Sequence, residues 1–351
     1  MTTFLNFLII VLTIIGIVQV VRIIEIATKL KGPQDKITTD QDNRYNALAM
    51  LIVGLGFTAF VAYSFKLWGH LVLPDPVSVH GEGIKMLWDT TMILILVTFF
   101  ITQTLLFVFA YKYRGREGNT ALFQTHNNKL ELLWTAVPAF ILTGLILFGL
   151  STWNKTMVPD TTNAKVMEVY AQQFNWTARY AGDDNQLGKA HYTLIGGINT
   201  LGVDERDSLS YDDVIVREIH LVKDQQVLMK FRSQDVIHSA YLPHFNVQMN
   251  CVPGMITEFS FTPTTTTADM RLNPDVVAKV NRINKIRYDN SQELIAKGEE
   301  PLEPYQFDYL LLCAKICGAS HYNMQMKIVV ESEKDFNKWL NEQKTFSEVI
   351  Q

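Results

Sequence analysis

Apolar positions concentrate in the first half of this chain. Four stretches, Phe4 to Ile24, Ala47 to Leu67, Met92 to Tyr111 and Leu132 to Trp153, are almost continuously apolar. Each approaches the roughly 20 residues needed to cross a bilayer, which predicts four membrane helices. From Lys155 onward the pattern changes to short alternating runs: Val166 to Tyr180, Glu218 to Val222, Gln226 to Ser233 and Ile256 to Thr262. Period-two alternation broken by turn residues predicts an antiparallel β-sandwich or barrel. Pro253 to Phe261 reads as a turn and strand, Met326 to Glu331 as the last strand, and Glu333 to Gln343 as a closing helix. The expected class is an α+β membrane protein, with N-terminal transmembrane helices followed by this β-domain.

Loop charges orient the chain, because Lys and Arg accumulate on the cytoplasmic side of short loops. The loop Glu25 to Tyr45 holds Lys29, Lys31, Lys36 and Arg44, and the loop Lys112 to Lys129 holds Lys112, Arg114, Arg116 and Lys129. The loop between them, Trp68 to Lys85, has only Lys85. Both termini, and all of Lys155 to Gln351, therefore fall outside the cytoplasm. Met1 to Asn6 lacks the basic residues of a secretory signal and no small-residue cleavage pattern precedes Arg22, so the first stretch reads as a retained helix. The expected organisation is residues 1–80 with two helices, 81–154 with a helical hairpin, and 155–351 as an extracytoplasmic domain.

Charge and cysteine content narrow the chemistry. The 351 residues carry a net charge of −4 without basic clusters interleaved with aromatics, which excludes a nucleic-acid partner. Three cysteines are too few for a disulfide framework. Two polar insertions interrupt the strands. Residues 183–213 are acid-rich and read as a solvated loop, or alternatively as a surface that attracts a basic protein. Residues 274–300 have helical character and mixed charge.

The segment Leu310 to Met324, LLLCAKICGASHYNM, spaces Cys313, Cys317, His321 and Met324 as CxxxCxxxHxxM. Two thiolates, an imidazole and a thioether form a soft donor set that suits copper better than magnesium, calcium or manganese. His238, in DVIHSAYLP, is the candidate for a further ligand from an upstream strand. Two cysteines four apart can each bridge two ions. With one histidine per copper, Met324 as a weak ligand and the main-chain carbonyl of Lys315, two coppers are complete and no position is left for a substrate. That is the architecture of an electron carrier. A Cys313–Cys317 disulfide and a structural zinc are the competing readings; the first explains neither histidine and the second leaves Met324 unexplained. His244 and Cys251 read as loop or packing residues. Glu131, at the start of the fourth apolar stretch ahead of Pro138, reads as an interfacial anchor or as part of a proton path.

These residues resemble subunit II of the haem-copper cytochrome c oxidases, with its binuclear copper A centre. The resemblance runs from about Gly83 to Glu331, through ELLWTAVPA, QQFNWTARY, DVIHSAYLP, PGM and the full CxxxCGxxHxxM. It implies a cupredoxin-type β-domain behind a helical hairpin of the subunit II type. It assigns two copper ions to His238, Cys313, the Lys315 carbonyl, Cys317, His321 and Met324. Electrons would come from a cytochrome c and pass to haem in subunit I, where oxygen is reduced with proton pumping. Glu131 would then be the acid at a proton-channel entrance, and Phe174 and Trp176 the electron-entry patch. The implied partners are subunit I, other oxidase subunits, the lipid bilayer of a bacterial-type inner membrane, and a cytochrome c that could be dedicated or supercomplex-bound, since no CxxCH haem motif is present.

Three departures stand out. Lys315 replaces the glutamate whose carboxylate reaches a magnesium or manganese at the subunit boundary, which puts that ion in doubt. Phe174 stands where the entry tryptophan is usual. The first two helices and the two insertions exceed the minimal pattern. A quinol oxidase subunit would lack the copper ligands. A copper chaperone or storage module would have no use for four spans, and a copper A subunit of nitrous or nitric oxide reduction would not call for ELLWTAVPA.

Overall fold

A computed structural model describes residues 2–30 and 39–350, with side chains undescribed for 2–10 and 28–30. The chain begins with four long helices: α1 (Thr2–Leu30), α2 (Asp40–Trp68), α3 (Val79–Lys112) and α4 (Asn128–Met157). Among the described residues three helical stretches are long and apolar enough to cross a membrane, Asp40–Leu71, Val79–Lys112 and Asn128–Met157. The expected first span, Phe4 to Ile24, lies within α1, partly on side chains outside the description, and basic residues Lys31 and Lys36 also fall outside it. Each helix extends past its apolar stretch by a turn or more at one end or both. At α4 the Asn127 side chain accepts from the Leu130 amide, while Glu131 accepts from the Asn127 amide at 3.0 Å. This reciprocal arrangement satisfies donors that a helix start leaves free.

By its contacts the chain divides into two units, residues 1–67 with 96–125, and residues 68–95 with 126–351. In the first unit α2 packs on the second half of α3. A Cβ on Gly54 would lie 2.1 Å from the Phe107 ring, so this approach requires glycine.

The second unit carries the β-domain. Its strands are β1 (Lys165–Gln172), β2 (Asn175–Tyr180), β3 (Val214–Val216), β4 (Ile219–Val222), β5 (Val227–Ser233), β6 (His238–Leu242), β7 (Val247–Cys251), β8 (Thr257–Phe261), β9 (Tyr309–Cys313) and β10 (Gln325–Glu331). They form two five-stranded sheets, ordered β3-β2-β1-β5-β8 and β4-β10-β9-β6-β7. Inward residues such as Met167, Phe231, Trp176, Tyr309 and Ile328 form one core between them. The cupredoxin-type two-sheet expectation holds. The sheets are mixed rather than wholly antiparallel, because β1 pairs with β5 and β4 with β10 in parallel. Parallel neighbours need a crossover between them, and the intervening strands supply it.

The run 183–213 is more than a solvated loop. It buries Leu201 and Val203 against Tyr170 of β1 and Phe346 of the last helix. Its carboxylates are largely used to fold it: Asp207 accepts from the Lys189 and Leu209 amides, and Asp212 from the Asp183 and Asp184 amides. Asp213 is fully buried against Arg179, which lies between it and Glu168 at 3.4 and 3.5 Å. The second insertion forms α5 (Thr267–Arg271) and α6 (Pro274–Ala296), with α7 (Glu333–Asn341) and α8 (Phe346–Ile350) closing the chain. Asn284 of α6 bonds both the amide and the carbonyl of Tyr305, so the insertion returns in order to β9.

Candidate metal centre

Register brings the candidate ligands together. Antiparallel pairing of β6 with β9 sets Ala240 opposite Cys313, which brings His238 beside the end of β9. The chain then turns through residues 314–320 to His321 and Met324. Cys313 Sγ lies 3.9 Å from Cys317 Sγ and 3.8 Å from His238 Nδ1. Cys317 Sγ lies 3.6 Å from His321 Nδ1 and 3.8 Å from Met324 Sδ. The Lys315 carbonyl stands 3.2 Å from Cys313 Sγ. His238, Cys313 and Cys317 form the metal-competent group found among the described residues, their donor atoms all within 4.8 Å of one another.

The sulfurs are therefore unbonded, since a disulfide holds them at about 2.05 Å, and all three cysteines are free. Burial, with the neighbouring Cys313, pushes the Cys317 thiol up to about 11. An empty centre thus keeps that proton, and a metal must displace it to gain the thiolate. The six sequence-nominated groups lie along one line of contacts, with His238 and the Lys315 carbonyl beside Cys313, and His321 and Met324 beside Cys317. Lys315 is exposed, while its carbonyl faces the Cys313 sulfur.

Two residues passed over in the sequence complete the surroundings. Asp235 Oδ1 accepts from His238 Nε2 at 2.8 Å, so that nitrogen carries the proton and Nδ1 presents its lone pair toward Cys313. This is the carboxylate–histidine arrangement that orients metal ligands. Burial pushes the Asp235 carboxyl up, but hydrogen bonds from His238 and from the Gln173 and Val236 amides outweigh it and hold the carboxyl low. Gln173 couples the two ligand segments: its amide donates to Asp235 Oδ2 at 2.7 Å, and its side chain donates to the Cys317 carbonyl. The DxxH spacing and the glutamine before Phe174 were the available signals, but their meaning depends on the β1–β2 turn lying over both loops.

Phe174 and Trp176 occupy different environments. Trp176 is 1 % exposed, with its indole nitrogen 3.4 Å from the Met324 carbonyl and its ring 6.1 Å from His238. Phe174 is half-buried on the surface of the ligand loop. A Cβ on Gly318, whose φ is +143°, would lie 2.8 Å from the Phe174 ring. Glu131 is not part of this centre. It caps the far end of α4, about 40 Å of helix away from β1 at the 1.5 Å rise per residue, with His126 at 3.7 Å. Cys251 is fully buried and pushed up to about 12 by burial. His244 packs on Phe307 and Tyr309, and burial together with Lys279 pulls it down to about 4.

Fold and donor set define a class: a helix-anchored, two-sheet cupredoxin-type protein with a soft-ligand metal centre at one sheet end. The family model for the transmembrane domain of cytochrome c oxidase subunit II matches residues 66–152, and that for its periplasmic domain matches 165–268. Together they cover more than half of the chain, which belongs to the cytochrome c oxidase subunit II family. His238 lies inside the matched region, while Cys313 to Met324 lie beyond it, across the α6 insertion.

The alternative cytochrome c oxidase subunit 2 of Bradyrhizobium diazoefficiens is 29% identical over 307 residues, 86% of this chain and 92% of that one. Cytochrome c oxidase subunit 2 of Cereibacter sphaeroides is 23% identical, over 72% of each chain. Among solved structures, the periplasmic domain of subunit II of cytochrome oxidase (CoxB) of Bradyrhizobium japonicum aligns with a TM-score of 0.30 at 19% identity, covering 53% of this chain and 95% of that one. The protein is thus a membrane-anchored member of an oxidoreductase complex with an extracytoplasmic C-terminal domain, in a family whose members carry a copper A site.

Proposed function

We propose that this chain is the electron-entry subunit of a cytochrome c oxidase and holds two copper ions. The observation that carries the reading is the convergence of two sulfurs, two imidazole Nδ1 atoms, a thioether and a carbonyl, with the cysteines central and one histidine beside each. That donor set fits copper: soft sulfurs lie at the middle and weaker donors outside them. When bound, copper supplies one-electron transfer. The chain's own residues hold the geometry fixed. Asp235 orients His238, Gln173 ties the Cys317 segment to the β1–β2 turn, and the buried Trp176 closes the inner side against water. A centre held this rigidly changes shape little between oxidation states.

Phe174, half-exposed beside Gly318, is the surface residue that a cytochrome c donor would meet, and Trp176 lies behind it. Electrons would then pass to haem in subunit I. Glu131 would serve as the acid at a proton-channel entrance of that partner. The setting is a bacterial-type inner membrane. Lys315 supplies a carbonyl but no carboxylate, so a magnesium or manganese ion at the subunit boundary would need ligands from elsewhere. The organisation fits two additional helices in residues 1–80, a hairpin in 81–154 and the copper domain in 155–351. The test is copper stoichiometry and colour. Loaded protein should hold two coppers per chain and turn purple in its mixed-valence state; one copper per chain, or zinc alone, would overturn the reading.

A further inference from the structure

Trp176 is fully buried and fixed in β2, where it pairs with Ala171 of β1. A buried indole N–H needs an acceptor. That of Trp176 reaches across to the Met324 carbonyl, at the start of β10 in the opposite sheet. It makes no other hydrogen bond among the described residues. At 3.4 Å the bond is long and therefore weak, but it acts together with two others on the same residue.

Met324 has both of its main-chain groups engaged. Its amide donates to the His321 carbonyl at 3.2 Å, and its carbonyl accepts from the Cys313 amide at 3.1 Å as well as from Trp176. A carbonyl oxygen offers two acceptor sites, and both are filled. The bonds with Cys313 and His321 tie Met324 to its own ligand loop. Of the three, only the Trp176 bond ties it to a residue outside that loop.

The thioether depends on this hold. A methionine side chain turns about three bonds, so the reach of its sulfur follows from where its main chain is held. Met324 Sδ stands 3.8 Å from Cys317 Sγ, the sulfur that also has His321 Nδ1 at 3.6 Å. A weak axial thioether tunes the reduction potential of a copper–thiolate site. We infer that Trp176 is a positioning residue: through the Met324 carbonyl it fixes how closely the thioether approaches the copper centre, and so sets the reduction potential. The inference rests on the copper reading and gives Trp176 a task distinct from electron entry. An entry residue governs a rate, whereas a positioning residue governs a potential.

The test is a redox titration of the assembled oxidase, with the copper signal followed by electron paramagnetic resonance. Trp176→Phe keeps an aromatic ring and removes the N–H; Met324→Leu removes the thioether. Trp176→Phe should still hold two coppers per chain. Both substitutions should move the midpoint in the same direction, Trp176→Phe by the smaller amount. The double variant should match Met324→Leu alone, because Trp176 acts through Met324. An unmoved midpoint in Trp176→Phe would overturn the inference even if electron entry slowed, and so would shifts that add in the double variant. Should Trp176→Phe lose copper, benzothienylalanine at position 176, which keeps the indole shape with sulfur in place of N–H, decides by the same two criteria. One copper per chain in the parent oxidase, or zinc alone, would sink the copper reading and this inference with it. An unmoved midpoint at two coppers per chain would sink the role of Trp176 alone.

Discussion

Asp235→Asn offers the sharpest trial of the metal centre. The native carboxylate accepts three hydrogen bonds, from His238 Nε2 at 2.8 Å, from the Gln173 amide at 2.7 Å and from the Val236 amide at 2.7 Å. All three partners are donors. An asparagine has one accepting oxygen, so its amide nitrogen must face either His238 or the Gln173 amide, donor against donor. Hydrogen bonds to a charged group contribute about 1.5–3 kcal/mol each. The Asp235 side chain is 28% exposed, so solvent screening favours the lower part of that range. If the amide turns toward His238, the imidazole must give up its orientation or its tautomer, and Nδ1 is no longer reliably a bare ligand. A loss of about 1.4–2.7 kcal/mol corresponds to a 10- to 100-fold weaker metal affinity, which is also the usual effect of removing such an outer partner. The assay is competition for copper against a chelator of known affinity, with electron paramagnetic resonance of the loaded protein. Affinity within twofold of the parent and an unaltered spectrum would refute the claim that Asp235 positions His238.

Other substitutions probe separate parts of the chain. Glu131→Gln keeps an oxygen that can accept from the Asn127 amide, so the helix cap survives while the acid is lost. Oxygen reduction should slow with copper content unchanged, and full turnover would return Glu131 to a capping role alone. Gly318→Ala puts a Cβ 2.8 Å from the Phe174 ring at a φ of +143°. It should cost about 1–3 kcal/mol, read as a lower unfolding midpoint, and an unchanged midpoint would show that the loop yields freely. Asp213 is raised from 3.8 to about 7, first by burial and against the pull of Arg179. A raised carboxyl holds its proton more tightly folded than unfolded, so its contribution to stability is greatest below about pH 4 and is lost as pH climbs toward 7. Asp213→Asn should flatten that decline in denaturant titrations across pH 4–7, and an identical pH profile would rule the contribution out.

The sequence by itself settled whatever depends on neighbours along the chain. Twenty-residue apolar stretches demand helices, because a bilayer leaves no other way to satisfy the backbone. Period-two alternation marked β5, β8 and β10, and CxxxCxxxHxxM grouped four soft donors on one loop. Short strands without clean alternation, such as β3 and β9, were hidden, because their three to five residues carry no period of their own. The parallel pairings escaped because the partner strands lie far apart along the chain.

The acid-rich stretch misled in a similar way. Counted as charges, its aspartates suggest a solvated surface; folded, several of them accept backbone amides, and Asp213 lies beneath the insertion beside Arg179. Only tertiary structure could decide that His238 stands beside Cys313, since 75 residues separate them and sheet register alone joins them. It also separated Trp176 from Phe174, placing one in the core and the other on the ligand loop, although the two stand two residues apart. The roles of Asp235 and Gln173 belong to it entirely. A carboxylate three residues before a histidine means little until the β1–β2 turn folds over both loops and gives each of its oxygens a donor.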